Sequence, residues 1–184
     1  MSQVVVNPYR YVAEANTFDL ATTNDVNLSP DKLTATADAS GWGTIAWSTN
    51  TYNPTDGLSF VEFNVTSDTL VGGFGLATTP SGFSTDHFND VDWTAGMYCV
   101  GNGDASTNYI SIAEDGAEVW NLAPAGFYTT GDTLKITMDG SGVCRYYKNG
   151  GSPFYTSGNT ASGDNYFVFY SYESSFGITV SDST

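Results

Sequence analysis

From about residue 31 onward the chain alternates apolar and polar side chains in short runs, punctuated by Gly, Asn, Asp and Pro. An apolar residue at every second position marks a half-buried strand. In "LSFVEFNVTS", Val61, Phe63 and Val65 fall on one face, and Glu62 and Asn64 on the other. The runs "KLTATADAS", "GTIAWST", "TLVGGFGLATTP", "GMYCVGNG", "NYFVFYSY" and "FGITVSD" read as further strands, and "NYISIAEDGAEVWNL" as a hairpin about Asp115–Gly116. No segment carries a helical stripe, no repeat has a fixed period, and no Pro/Ser-rich linker divides the chain. About ten strands with regular turn signals predict an all-β, antiparallel two-sheet jelly-roll sandwich. The expected organisation is an N-terminal arm or lead-in strand over residues 1–30 and one sandwich domain over 31–184.

The strongest pattern is "GDTLKITMDGSGVCRYYKNGG", residues 131–151. Leu134, Ile136 and Met138 are expected in the core, with Thr133, Lys135 and Thr137 on the wet face. "DGSG" supplies residues that tolerate positive φ for the reversal. On the return strand Cys144 and Tyr146 share one face, and Val143, Arg145 and Tyr147 the other. Asn149–Gly150–Gly151 then turns the chain again.

Composition supports strands over helices. The 184 residues include four Trp, twelve Tyr and eleven Phe, enough large apolar bodies for a real core. Charged residues make up only 14%, so solubility rests on Ser, Thr, Asn and Gly. A net charge of −15 with five basic residues excludes a basic stripe for phosphate backbones. Nucleic acid and anionic membranes are therefore not expected partners. No run approaches the ~18 apolar residues of a membrane span, and the first residues lack a basic leader, an apolar core and a cleavage site.

Candidate chemistry is sparse. Glycoside hydrolysis needs two carboxylates facing one cleft, yet Glu62 stands alone in its strand. Glu114 and Glu118 flank a turn where exposed carboxylates are ordinary. The single histidine, His87, lies in "STDHFNDVDW" with Asp86, Asp90 and Asp92. Loop carboxylates are what calcium takes, so these three are candidate calcium ligands, against the alternative of a solvated acidic loop. No other cofactor is implied. Trp42 and Trp93 lie in turns and are candidate glycan-stacking residues, with Tyr52, Tyr109 and Tyr128 as further aromatics, whereas Trp47 and Trp120 lie inside strands and read as core. Cys99 and Cys144 each sit in a strand-like run and read as buried free thiols, with a disulfide as the alternative. In the arm, Val4, Val5, Val6, Tyr9, Arg10 and Tyr11 are candidates for adding a strand to a partner's sheet edge.

The segment "GDTLKITMDGSGVCRYYKNGGSPFYTS" resembles the signature of concanavalin A-like sandwiches of the SPRY and laminin-G type. The matching positions are Gly131–Asp132, Asp139 to Gly142, and Tyr146 to Gly150. "FVEFNV" (60–65), "VGGFGLAT" (71–78) and "FGITV" (176–180) agree with strands of that family, so the likeness spans roughly residues 40–182. "NPYRYV" (7–12) resembles a segment that opens many tailed-phage structural proteins carrying such domains. The resemblance implies a non-enzymatic virion protein, assembled in the host cytoplasm: a capsid decoration, head-fibre or tail-associated module. Its partners would be other virion proteins, and it permits a homo-oligomer such as a trimer. A carbohydrate-binding lectin or adhesin, touching a surface glycan, is the alternative, and a glycan-cleaving enzyme a third reading.

Overall fold

A computed structural model describes residues 25–40, 44–57, 59–79, 93–101, 106–122 and 126–182. These residues form two antiparallel sheets. One has seven strands: β1 (Val26–Leu28), β2 (Thr34–Ala37), β4 (Ser59–Val65), β9 (Thr133–Met138), β10 (Val143–Lys148), β11 (Tyr155–Thr160) and β13 (Gly177–Asp182), in the order β1-β2-β13-β4-β9-β10-β11. The other has six: β3 (Thr44–Tyr52), β5 (Val71–Ala77), β6 (Ala95–Val100), β7 (Tyr109–Glu114), β8 (Ala117–Leu122) and β12 (Asn165–Ser171), in the order β3-β12-β5-β6-β7-β8. Two of these strands escape the sequence pattern. β1 is only "VNL", and β11, "YTSGNT", lacks alternating large apolar residues. Both are edge strands, so neighbours on one side alone define them. Residues 26–28 of the lead-in segment thus pair with β2 inside the sandwich.

The inward positions fall where period two puts them. Val61, Phe63 and Val65 of β4, Leu134, Ile136 and Met138 of β9, and Cys144 and Tyr146 of β10 are all buried in the main core. Phe63 joins the sheets directly, its ring centroid 3.8 Å from Phe74 and 5.3 Å from Phe167. A pair spaced like Phe63 and Phe167 adds about 0.5–1.5 kcal/mol beyond the area it buries. Thr137 keeps to the outer face with Lys135, yet it is only 7% exposed there.

The β9–β10 hairpin closes through Asp139. Its Oδ1 accepts from the backbone N–H groups of Ser141 (2.9 Å) and Val143 (3.1 Å), and its Oδ2 from Arg145 (2.7 Å). Gly142 sits at φ +81°, and a Cβ there would lie 2.1 Å from the carbonyl oxygen of Ala161. Only glycine satisfies both demands.

A second apolar cluster occupies the opposite face of the six-stranded sheet. Ile45, Ala77, Trp93, Ala113, Val168 and Tyr170 are buried there, with half-buried Trp47, Tyr98 and Tyr166 against them. Cys99 and Cys144 are free and buried. Burial pushes the Cys144 thiol up to about 12.

Candidate functional site

Two arrangements of polar groups stand out, one sealed and one open. The sealed one is centred on Glu114, the last residue of β7, which the sequence pattern places at an exposed turn. The structure corrects that: Glu114 is 1% exposed and points between the sheets. Tyr146 Oη donates to its Oε1 at 2.8 Å, and Ser157 Oγ donates to its Oε2 at 2.7 Å. Burial raises the Glu114 pKa, the two hydroxyl bonds pull it back, and the neighbouring Asp115 charge raises it further. The net shift is upward. Buried, with both oxygens engaged by hydroxyls, this carboxylate links β10 and β11 to β7.

Glu118 does not complete an acid pair. Its side chain is exposed and accepts from Ser111 Oγ at 2.5 Å. Ser111 lies between the inward-facing Ile110 and Ile112 of β7, hence on the opposite face from Glu114. A hydrolytic pair must share one cleft; these two acids are divided by their own sheet. Beside the seal, Asp115 accepts from Asn159 Nδ2 at 3.0 Å and lines an open recess of about 240 Å³ with Thr78, Thr94, Thr160, Ala161 and Ser162.

The open arrangement lies on the outer face of the seven-stranded sheet. Strand register aligns Glu62 of β4, Lys135 of β9 and Tyr147 of β10 in one row across three strands. Phe60, Thr137 and Arg145 form the next row. Alternate residues along a strand share a face at about 7 Å spacing, so the rows make one continuous patch. Lys135 Nζ sits 3.9 Å from Glu62 Oε2 and 3.8 Å from the Phe60 ring centroid, a loose ion pair over an aromatic face. Asn149 (φ +51°) and Gly150 (φ +67°) turn the chain at the row's end, and Gly150 and Gly151 present no side chains there. Glu62, Lys135, Thr137, Tyr147, Gly150 and Gly151 enclose an open recess of about 260 Å³.

The residues singled out in the sequence fare differently. Trp93, a candidate for stacking on a sugar, is 0% exposed and meets Tyr170 edge-on at 6.5 Å. It lies in the second apolar cluster, so it offers no face to a ligand. Tyr52 and Tyr128 are buried as well. Trp47 and Trp120 are half-buried; Trp120 stacks beside Phe154 (5.4 Å) and Tyr155 (5.7 Å). Val4, Val5, Val6, Tyr9, Arg10, Tyr11, Trp42, Asp86, His87, Asp90 and Asp92 lie outside the described residues. Among the described residues no group of three or more His, Cys, Asp or Glu is placed to hold a metal ion.

The sandwich is similar to the SPRY domain of human HERC1, with a TM-score of 0.63 and 14% identity over 90% of this chain and 97% of that one. It is equally similar to the TRIM65 PSpry domain, at 0.65 and 15% over 92% and 90%. The fold is a SPRY-type, concanavalin A-like sandwich. The alginate lyase AlgAT5, of polysaccharide lyase family 7, resembles it less closely, at 0.51 and 16% over 86% and 80%. No protein-family model and no curated protein sequence matches the chain. Neighbours that include both SPRY domains and a lyase leave function to the site itself.

Proposed function

We propose that this SPRY-like sandwich is a non-enzymatic structural and recognition module of a virus particle. The observation that carries the reading is the sealing of Glu114 by Tyr146 and Ser157. A catalytic acid is kept where substrate can reach it, whereas this one ties two sheets into a rigid block. Among the described residues, two close ion pairs also brace turns: Arg145 to Asp139 at 2.7 Å and Lys148 to Asp132 at 2.8 Å. Lys148 further donates to the Phe127 carbonyl at 2.5 Å. The virion as setting is supported by "NPYRYV" and by a polar surface with few charges.

Quantitative mass spectrometry of purified particles tests it. The reading expects the chain in many copies per particle, at a fixed ratio to the major capsid or tail proteins. Absence from particles, or release of reducing ends from polysaccharides by the purified chain, defeats it.

A further inference from the structure

We infer that the recess between Glu62, Lys135, Thr137, Tyr147, Gly150 and Gly151 binds one neutral pyranose ring of a glycan. Size limits the ligand first. Pockets for drug-sized molecules run to about 300–1,000 Å³, and at about 260 Å³ this recess suits a single ring with its neighbours left in solvent.

Chemistry limits it next. Tyr147 offers an aromatic ring, which suits the C–H face of a sugar. Lys135 is donor-only, Glu62 as a carboxylate is acceptor-only, and the Thr137 hydroxyl serves as either. A ring carrying adjacent hydroxyls, each both donor and acceptor, matches that mixture. The gap of 3.9 Å between Lys135 Nζ and Glu62 Oε2 exceeds the about 2.7–2.9 Å of a charge-assisted bond. A sugar hydroxyl placed against both groups accepts from the ammonium and donates to the carboxylate. Charge settles the class: Glu62 and Lys135 cancel within the recess, and the chain carries −15 overall, so phosphate and polyanionic ligands gain nothing here.

The backbone beneath the site is fixed, because its three central residues sit on three paired strands in one register. Such placement lowers the ordering cost of binding. It does not include Trp93, which is buried in the second apolar cluster.

Saturation-transfer NMR of the purified chain with methyl glycosides of the common neutral hexoses and N-acetylhexosamines is the test. At least one glycoside should receive saturation. Tyr147→Ala should abolish the transfer, Tyr147→Phe should preserve it, and Glu62→Gln should weaken binding about tenfold. Thermal melts check that each variant is folded; should Tyr147→Ala melt early, Glu62→Gln and Tyr147→Phe decide. Transfer to none of the glycosides overturns the inference. So does binding that Tyr147→Ala or Glu62→Gln leaves unchanged, or a preference for methyl hexuronides over the neutral sugars. None of these outcomes touches the structural role, which particle composition tests separately.

Discussion

Ser157 on β11 donates a 2.7 Å hydrogen bond to Glu114 on β7, linking the two sheets through a carboxylate that is 1% exposed. Tyr146 occupies the other oxygen, so the acid is held from both sides. Desolvation penalises its charge more than the two hydroxyls relieve it, and the pKa rises above the ordinary 4.5.

A group whose folded pKa is raised favours folding while it is protonated. That contribution is complete below about pH 4.5 and fades as pH climbs through the raised value. Glu114→Gln removes the titration and keeps the shape. The melting temperature of the wild type relative to Glu114→Gln should therefore fall as pH rises above 4.5, reaching a plateau once Glu114 is ionised. Melts at half-unit steps from pH 4 to pH 8 would show it. A constant difference across that range would mean that Glu114 titrates in the folded protein as it does in the unfolded chain.

The hairpin yields a comparison between two glycines. Gly131 and Gly142 both have positive φ, at +89° and +81°. A Cβ on Gly131 meets nothing within 4 Å, while one on Gly142 meets the Ala161 carbonyl at 2.1 Å. Gly131→Ala should cost only the left-handed backbone penalty, about 1–2 kcal/mol. Gly142→Ala adds an overpacking cost of about 1–3 kcal/mol, and the obstacle is backbone that cannot rotate away. Urea denaturation should rank Gly142→Ala as the more damaging by at least about 1 kcal/mol. Equal losses would show that β10 and the Ala161 backbone separate at little cost.

That hairpin was also the most legible part of the chain. Strict alternation placed Leu134, Ile136, Met138, Cys144 and Tyr146 inside, because a period of two leaves a strand one choice of face. Glu114 was illegible for the opposite reason. Beside Asp115–Gly116 it looks like any turn acid, and the hydroxyls that make its burial tolerable come from Tyr146 and Ser157, on other strands. The open recess is hidden in the same way. Glu62, Lys135 and Tyr147 each occupy an ordinary polar position, and only the pairing of β4 with β9 and of β9 with β10 sets them in one row. The signal was there in the outward residues of three predicted strands, but reading it needed the register.

Trp93 gives the last prediction, and it turns on telling a ligand contact from a core contact. A tryptophan in a turn ahead of a strand is a reasonable sugar platform while its exposure is unknown. In the structure it is fully buried with Ile45, Ala77, Ala113, Val168 and Tyr170. Its backbone carbonyl accepts from Asp115 N–H at 2.8 Å, tying the approach to β6 to the β7–β8 turn. Removing a large buried aromatic costs about 3–5 kcal/mol, through lost transfer energy and the cavity left behind. Trp93→Ala should therefore lower the unfolding free energy from urea titration by about that amount, with a lower midpoint, and any accompanying loss of glycan binding should track the unfolded fraction. Tyr147→Ala, on the open face, should do the reverse and spare the midpoint while removing the binding. A Trp93→Ala protein that kept its midpoint and lost binding would restore Trp93 as a contact residue and displace the recess from that role.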